Sequence, residues 1–152
     1  MSYFSDESVL NLLYSYNPWW VTGIVQKDFN KPMKRNAFYE AKHAFENKEL
    51  RRTVILSGAR RTGKTTIMYQ MISELIDSGV SPRNIIFISF DHPLLKLYNI
   101  NDVLGVYREN ITASEKIFCF FDEIQYSPDW NAWLKVLYDT NPNISIMATG
   151  SA

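Results

Sequence analysis

Apolar residues along most of this chain alternate between short unbroken runs and longer stretches that repeat every three or four positions. The unbroken runs are typical of buried strands and predict four of them, at 53–56, 84–90, 116–121 and 143–148. The helical spacing between them predicts helices over 65–78, 101–111 and 128–138. Strands that are apolar on both faces and separated by helices predict an α/β fold, a mainly parallel sheet with helices on both sides.

The first fifty residues follow a different pattern. Val9, Leu12, Leu13 and Tyr16 recur at helical spacing, and Asn17-Pro18 ends that helix. A second helix is predicted over 36–50. We therefore expect an N-terminal helical or linker segment at 1–50 and an α/β core at 51–152. For Trp19-Trp20, packing against the sheet is favoured over stacking on a nucleotide base.

A glycine-rich turn follows the first predicted strand. Residues 58–65 read GARRTGKT and match the P-loop pattern G-x-x-x-x-G-K-[ST]. Its glycines let the backbone wrap phosphate oxygens, and its N–H groups with the next helix N-terminus attract anions. Lys64 is predicted to reach the β and γ phosphates, and the Thr65 hydroxyl to ligate Mg²⁺. The expected ligands are ATP and Mg²⁺, bound by Gly58, Ala59, Arg60, Arg61, Thr62, Gly63, Lys64, Thr65 and Thr66.

Polar residues follow the last two predicted strands. Asp122 and Glu123 end an apolar run about 60 residues after the P-loop. Here Asp122 is predicted to hold Mg²⁺ through its water shell, and Glu123 to deprotonate the attacking water. Thr149 follows the fourth strand and is predicted to sense the γ-phosphate, with a strand cap as the alternative. The Arg60 and Arg61 side chains are expected to face solvent or a partner rather than the phosphates.

Composition narrows the class of protein. The 152 residues are 46% apolar and carry 16 basic and 16 acidic side chains, so no overall charge favours nucleic acid. Eight basic against four acidic residues between Lys27 and Arg52 are better explained as a solvated surface than as a DNA site. A single cysteine, Cys119, excludes an internal disulfide and is expected to pack in the core. With no long apolar run and no signal sequence, we expect a cytoplasmic protein without membrane contact.

The motifs taken together resemble prokaryotic AAA+ superfamily ATPases, in the branch whose members carry an uncharacterised, often nuclease-like domain after the ATPase core. The segments that carry the resemblance are NPWW (17–20), GARRTGKTT (58–66), FFDEIQ (120–125), WNAWLKVLYD (130–139) and ATGS (148–151). The resemblance implies hydrolysis of ATP coupled to conformational change, and sheet order 5-1-4-3-2 with strand 53–56 beside the sensor strand. It gives Lys64, Thr65, Asp122, Glu123 and Thr149 the roles predicted above. A homo-oligomer is compatible with it.

The sequence also departs from that family's pattern. A fifth strand, an arginine finger and a small lid are expected after the sensor, and they are not found before Ala152. Strand 53–56 is therefore expected at a sheet edge. Because an arginine finger contributes roughly 10³–10⁵ in rate, we expect this chain to bind ATP better than it turns ATP over.

Three other functions are weighed against the ATPase. A non-hydrolysing, nucleotide-gated interaction module needs no base at Glu123. A DNA-associated ATPase would use the basic stretch near the N-terminus and bind with steep salt dependence. A P-loop kinase is disfavoured by the paired carboxylates.

Overall fold

Parallel strands form the centre of the structure, a computed structural model that describes residues 6–47, 53–57 and 63–150. In this part of the chain the strands are Val54–Ser57 (β1), Ile85–Ser89 (β2), Ile117–Asp122 (β3) and Ile144–Gly150 (β4). They pair in the order β1-β4-β3-β2, and each pairing is parallel. The predicted α/β fold is confirmed, and β1 lies beside β4, as the resemblance implied. Among the described strands β1 is at an edge of the sheet, the position expected from the departure from the family's pattern.

Helices flank this sheet. In the described residues they are Asp6–Tyr16 (α1), Trp19–Thr22 (α2), Asn36–Glu46 (α3), Lys64–Asp77 (α4), Ile100–Asn110 (α5) and Trp130–Thr140 (α6). α3 and α4 pack together and contact β4, while α5 packs between α1 and α6. The two N-terminal helices therefore share the core of the α/β unit. None of the helices in these ranges combines the length and apolar character needed to cross a bilayer.

Two predicted boundaries are wrong, each for a physical reason. The helix predicted to begin at Pro128 begins at Trp130, because Asp129 has a left-handed backbone (φ 53°) that no helix interior accommodates. The fourth strand was predicted to end at residue 148 but continues to Gly150. Pairing of Leu56 with Thr149, and of Ser57 with Gly150, draws these residues into the sheet. Trp130 and Trp133 are only partly buried, and both pack against the core.

Short elements were missed by the periodicity. α2 and three 3₁₀ turns, at Pro82–Asn84, Pro93–Leu95 and Ile124–Tyr126, are too short to show a repeat. The other predicted helices and strands are found within two residues of their expected bounds, except at the end of the second helix. That helix was predicted to reach residue 50; α3 ends at Glu46, and residues 48–50 lie outside the described ranges.

The N-terminal segment covers the open edge of β2. The Asn17 side chain donates from Nδ2 to the Phe87 carbonyl (2.9 Å) and accepts the Phe87 N–H at Oδ1 (2.6 Å). Tyr16 donates its hydroxyl to the Ser89 carbonyl (3.3 Å). An edge strand exposes a row of unpaired backbone groups. Here side chains take the place of a neighbouring strand.

The two tryptophans extend this cover. Both indole N–H groups donate to the Ile85 carbonyl, from Trp19 at 3.1 Å and from Trp20 at 2.7 Å. The side chains are 1% and 4% exposed, and Trp20 stacks on Tyr107. Ile85 begins β2, at the end of the sheet opposite to the strands' carboxyl ends. The tryptophans thus pack against the sheet, and the stacking alternative is excluded.

Candidate functional site

The carboxyl ends of the strands bring the predicted site residues together. β3 ends at Asp122 and β4 at Gly150, and α4 begins at Lys64 next to them. Parallel strands all point the same way, so residues that follow different strands meet at one edge of the sheet. Thr65 and Asp122, 57 positions apart in sequence, are therefore neighbours, as are Lys64 and Gly150, 86 positions apart.

Asp122 lies at the centre of the site. Thr65 donates its hydroxyl to Asp122 Oδ2 at 2.9 Å, and Thr149 donates its hydroxyl to Oδ1. The carboxylate is buried, since only 8% of the residue is exposed. Two hydroxyl donors thus stabilise a charge that burial alone would disfavour.

Thr149 connects the two acidic residues. Its hydroxyl oxygen accepts a hydrogen bond from the backbone N–H of Glu123 (3.1 Å), and its hydroxyl group donates one to the Asp122 carboxylate. The residue is fully buried within β4. Its hydroxyl therefore belongs to a network inside the protein, and a sensor role at Thr149 stays a prediction.

Glu123 turns the chain out of the sheet. Its backbone is left-handed (φ 53°, ψ 47°), a conformation that costs a non-glycine residue about 1 kcal/mol or more. Gln125 then donates from Nε2 to Glu123 Oε2 at 2.6 Å. Gln125 was part of the FFDEIQ segment but received no role from the sequence, because a contact two residues away depends on the unusual backbone between them.

Lys64 opens α4 and points to the same edge. It is buried, and Nζ donates to the Gly150 carbonyl at 3.2 Å. Gly63 precedes it with φ 85°, a backbone that glycine adopts without strain. The other predicted loop residues, Gly58, Ala59, Arg60, Arg61 and Thr62, lie outside the described residues.

An apolar cavity of about 350 Å³ lies beside Gly63. Gln70, on α4, donates from its amide to the Lys31 carbonyl (2.9 Å) and to the Met33 carbonyl (3.0 Å). These bonds hold the segment before α3 against the helix that follows the P-loop. The cavity walls include Met33, Ala37, Gly63, Thr66 and Ile67. No sequence signal indicated it, because its walls come from two separate segments, residues 31–37 and 63–70.

Two tyrosines near the site stay neutral. Burial raises the pKa of Tyr69 to about 12, and the Asp122 charge adds to the shift. Burial, with the charges of Asp91 and Asp122, also raises the pKa of Tyr16 to about 12. The Tyr16 hydroxyl therefore keeps the proton that it donates to Ser89.

The family of this chain follows from its similarity to known proteins. Residues 50–152 match the model of a family described as the AAA domain. The chain belongs to this family. The AAA domain thus spans the P-loop, the sheet and every predicted site residue. Membership of this family indicates a nucleotide-binding function of the ATPase type. ATPases of this family generally bind ATP with Mg²⁺.

Two relatives that resemble this chain are each described as an uncharacterised protein. One, from Methanocaldococcus jannaschii, is 33% identical over 137 residues, which cover 86% of this chain and 28% of the relative. Another, from Haemophilus influenzae, is 31% identical over 101 residues, covering 64% of this chain and 24% of the relative. This chain therefore spans about a quarter of the length of these relatives. Among solved structures, that of C. elegans PCH-2 aligns over 85% of this chain and 41% of its own, with 16% identity and a TM-score of 0.48.

Within the AAA domain, the structure brings together most of the residues that the sequence singled out. Thr65, Asp122, Glu123 and Thr149 form one hydrogen-bonded network, and Lys64 lies at the adjoining strand end. Thr66 is half-buried in the first turn of α4 and lines the cavity.

Proposed function

We propose that this AAA domain binds ATP with Mg²⁺ at the carboxyl edge of its sheet. It hydrolyses the bond between the β and γ phosphates and couples the nucleotide state to the conformation of the protein. The observation that carries the proposal is the hydrogen-bonded network in which Thr65, Asp122, Thr149 and Glu123 meet. In this network Thr65 and Asp122 would supply oxygen ligands to the metal and Glu123 would be the base, with Lys64 nearby.

Phosphate binding is assigned to the loop 58–65 and the start of α4. The helix N-terminus attracts negative charge, and Lys64 adds a full positive charge at the same place. In the structure its ammonium group donates to the Gly150 carbonyl. We propose that Lys64 exchanges this neutral acceptor for the β and γ phosphates, a charge-assisted contact that is stronger. For Arg60 and Arg61, side chains that face solvent or a partner stay a prediction from the sequence.

The donor set fits Mg²⁺. The Thr65 hydroxyl and Asp122 Oδ2 lie 2.9 Å apart, and both are the hard oxygen donors that this ion prefers. We propose that Thr65 ligates the ion directly and Asp122 through water. Mg²⁺ commonly keeps several waters and takes its remaining ligands from phosphates, so no all-protein cage is needed. Bound there, the ion would neutralise charge on the phosphates.

Glu123 is proposed as the base. It follows the buried Asp122 at the point where a left-handed backbone turns the chain out of β3. It would orient the attacking water and accept its proton. The Thr149 hydroxyl oxygen accepts the backbone N–H of Glu123, and this hydrogen bond fixes the backbone position from which the Glu123 side chain extends.

The apolar cavity beside Gly63 is proposed as the place of the nucleotide base. It opens next to the loop that would hold the phosphates, and its walls are mostly apolar. An aromatic base buries its faces against such side chains. The tryptophans at 19 and 20 are unsuited to this role because they are buried at the far end of β2.

Glu123→Gln tests the proposal. It keeps the size of the side chain and removes the proton acceptor, so phosphate release should fall by about 10²–10⁴-fold. The affinity for a fluorescent ATP analogue should stay within about twofold of wild type. Glu115→Gln is the matched control, since Glu115 is exposed just before the opposite end of β3. Turnover that survives in Glu123→Gln would remove this residue from its role, and ATP binding without turnover in the wild type would favour the nucleotide-gated interaction module.

A further inference from the structure

The side chain of Glu123 is held by a neighbour that the proposed function has not used. Gln125 Nε2 lies 2.6 Å from Glu123 Oε2. The contact spans two residues, because left-handed Glu123 is followed at once by the 3₁₀ turn Ile124–Tyr126. Side chains two residues apart lie on one face of an extended strand, whereas on a helix they are not neighbours. Here the backbone turn at Glu123 brings the two side chains into contact.

Gln125 is itself confined. The oxygen end of its amide, Oε1, is buried. It lies so close to Gly150 that a Cβ at that position would come within 3.2 Å of Oε1. Gly150 ends β4, and its carbonyl accepts the Lys64 ammonium group. Gln125 thus lies between Glu123 and Gly150, the residue at the end of β4 whose carbonyl contacts Lys64.

We propose that Gln125 is the positioning residue of Glu123, and that Gly150 keeps Gln125 in place. The inference rests on the proposed function, in which Glu123 is the base. A glutamate side chain has three rotatable bonds, and a base misplaced by about 1 Å can lose about 10²-fold in rate.

A glutamine suits this task for an electrostatic reason. Its amide is a neutral donor, so it directs the carboxylate without forming a salt bridge to it. A lysine or arginine in its place would pair with the base and compete with the water for its proton-accepting oxygen. The amide also presents its oxygen to Gly150 and its nitrogen to Glu123, which fixes the orientation of the group.

Gln125→Ala is the first variant. We expect kcat for ATP to fall about 10–100-fold, while KM and the affinity for a fluorescent ATP analogue stay within about twofold of wild type. Gln26→Ala is the matched control, because Gln26 is exposed and outside the site. A loss confined to kcat is the signature of positioning, whereas a general structural defect would also weaken binding.

Two further variants address the orientation of the amide. Gln125→Glu is nearly isosteric but places a second carboxylate against Glu123, so kcat should fall at least as far as in Gln125→Ala. Gly150→Ala should lower kcat by displacing Gln125, yet have no added effect in the Gln125→Ala background.

A readout independent of turnover follows the contact directly. The side-chain amide protons of Gln125, observed by ¹H–¹⁵N NMR, should shift in Glu123→Ala and in Gly150→Ala but not in Gln26→Ala. If Gln125→Ala turns over ATP as fast as wild type, this inference is overturned while the proposed function stands. The same holds if the Gln125 amide signals do not shift in Glu123→Ala. A wild-type chain that binds ATP without hydrolysing it would overturn the proposed function and, with it, the inference.

Discussion

Thr149 shows how much a single side chain does in this protein. Its hydroxyl donates to Asp122 and accepts from the Glu123 backbone, in a position with no access to water. A buried donor or acceptor without a partner costs about 1–3 kcal/mol. Both ends of this hydroxyl are therefore needed to keep two neighbouring acidic residues in place.

Thr149→Val should destabilise the protein by about 2–4 kcal/mol, because it has the same shape but leaves the Asp122 oxygen and the Glu123 N–H without this partner. Thr149→Ser keeps the hydroxyl and should cost less than about 1.5 kcal/mol, the price of one methyl group. Unfolding in urea measures both values. A valine variant as stable as the serine variant would show that the network adds nothing.

Side chains rather than a strand complete the edge at β2. Asn17 offers one donor and one acceptor to Phe87, in the geometry that a neighbouring peptide would use. Just before it, Tyr16 reaches Ser89, and just after it the tryptophans reach Ile85. Because Pro18 follows Asn17, the chain turns here instead of continuing as a helix or a strand. The N-terminal segment thereby seals the sheet without extending it.

Asn17→Ala should lower the free energy of unfolding by about 2–4 kcal/mol, since it leaves the Phe87 N–H and carbonyl without these partners in a buried position. Asn131→Ala is the control, because Asn131 is exposed on α6 and its loss should change stability by less than about 0.5 kcal/mol. Urea denaturation of the two variants gives the comparison. Equal stability of the two would mean that water satisfies the β2 edge.

The packing of α3 on α4 carries a pH dependence. Glu74 on α4 accepts from Lys42 (2.9 Å) and lies 3.3 Å from Lys34. Partial burial works to raise the pKa of Glu74, but the hydrogen bonds and charges of these two lysines outweigh it and lower the pKa. A lowered folded-state pKa stabilises the protein above the unfolded value, about 4.3, and that stabilisation is lost as pH falls through the folded value.

Glu74→Gln should therefore be less stable than wild type above about pH 5, by less than about 1 kcal/mol because the pair is near the surface. The difference should shrink as the pH falls below about 4, because wild-type Glu74 then becomes protonated as well. Urea unfolding at a series of pH values, at low salt, measures it. A difference that stays constant down to pH 3 would exclude Glu74 as its source.

The whole domain closes over one core, and Cys119 lies inside it. This thiol sits in the middle of β3, fully buried, and burial raises its pKa well above the usual range for cysteine. A protonated and enclosed thiol is inert to thiol reagents. Any reaction at Cys119 therefore reports opening of the sheet.

Labelling of Cys119 by a disulfide reagent at pH 8 should be slow in the folded protein and rapid in urea. If ATP with Mg²⁺ binds only the folded state, nucleotide at about 100 times its Kd should slow labelling by about 100-fold. Lys64→Ala should lose this protection together with its ATP affinity. Rapid labelling without denaturant, or protection that persists in Lys64→Ala, would contradict the expectation.

Much of the fold could be read from the sequence because its signals are local. Strand and helix periods depend on neighbouring residues, and so does the spacing of glycine, lysine and threonine in the P-loop. Parallel strands then place Asp122 and Thr149 at one edge whatever the details of packing. The alternation of elements and the two acidic residues of the site were accessible in this way, whereas the contact of Lys64 with the Gly150 carbonyl was not.

Other features depend on which distant groups meet, and only the tertiary structure decided them. Pairing of Leu56 with Thr149 extended β4 beyond its apolar run. The left-handed backbone of Glu123 brought Gln125 onto its carboxylate, and the bond from Asn17 to Phe87 joins residues 70 positions apart. A hydrogen bond across such a distance leaves no periodic trace in sequence, because it is set by register and by the need to satisfy buried polar groups.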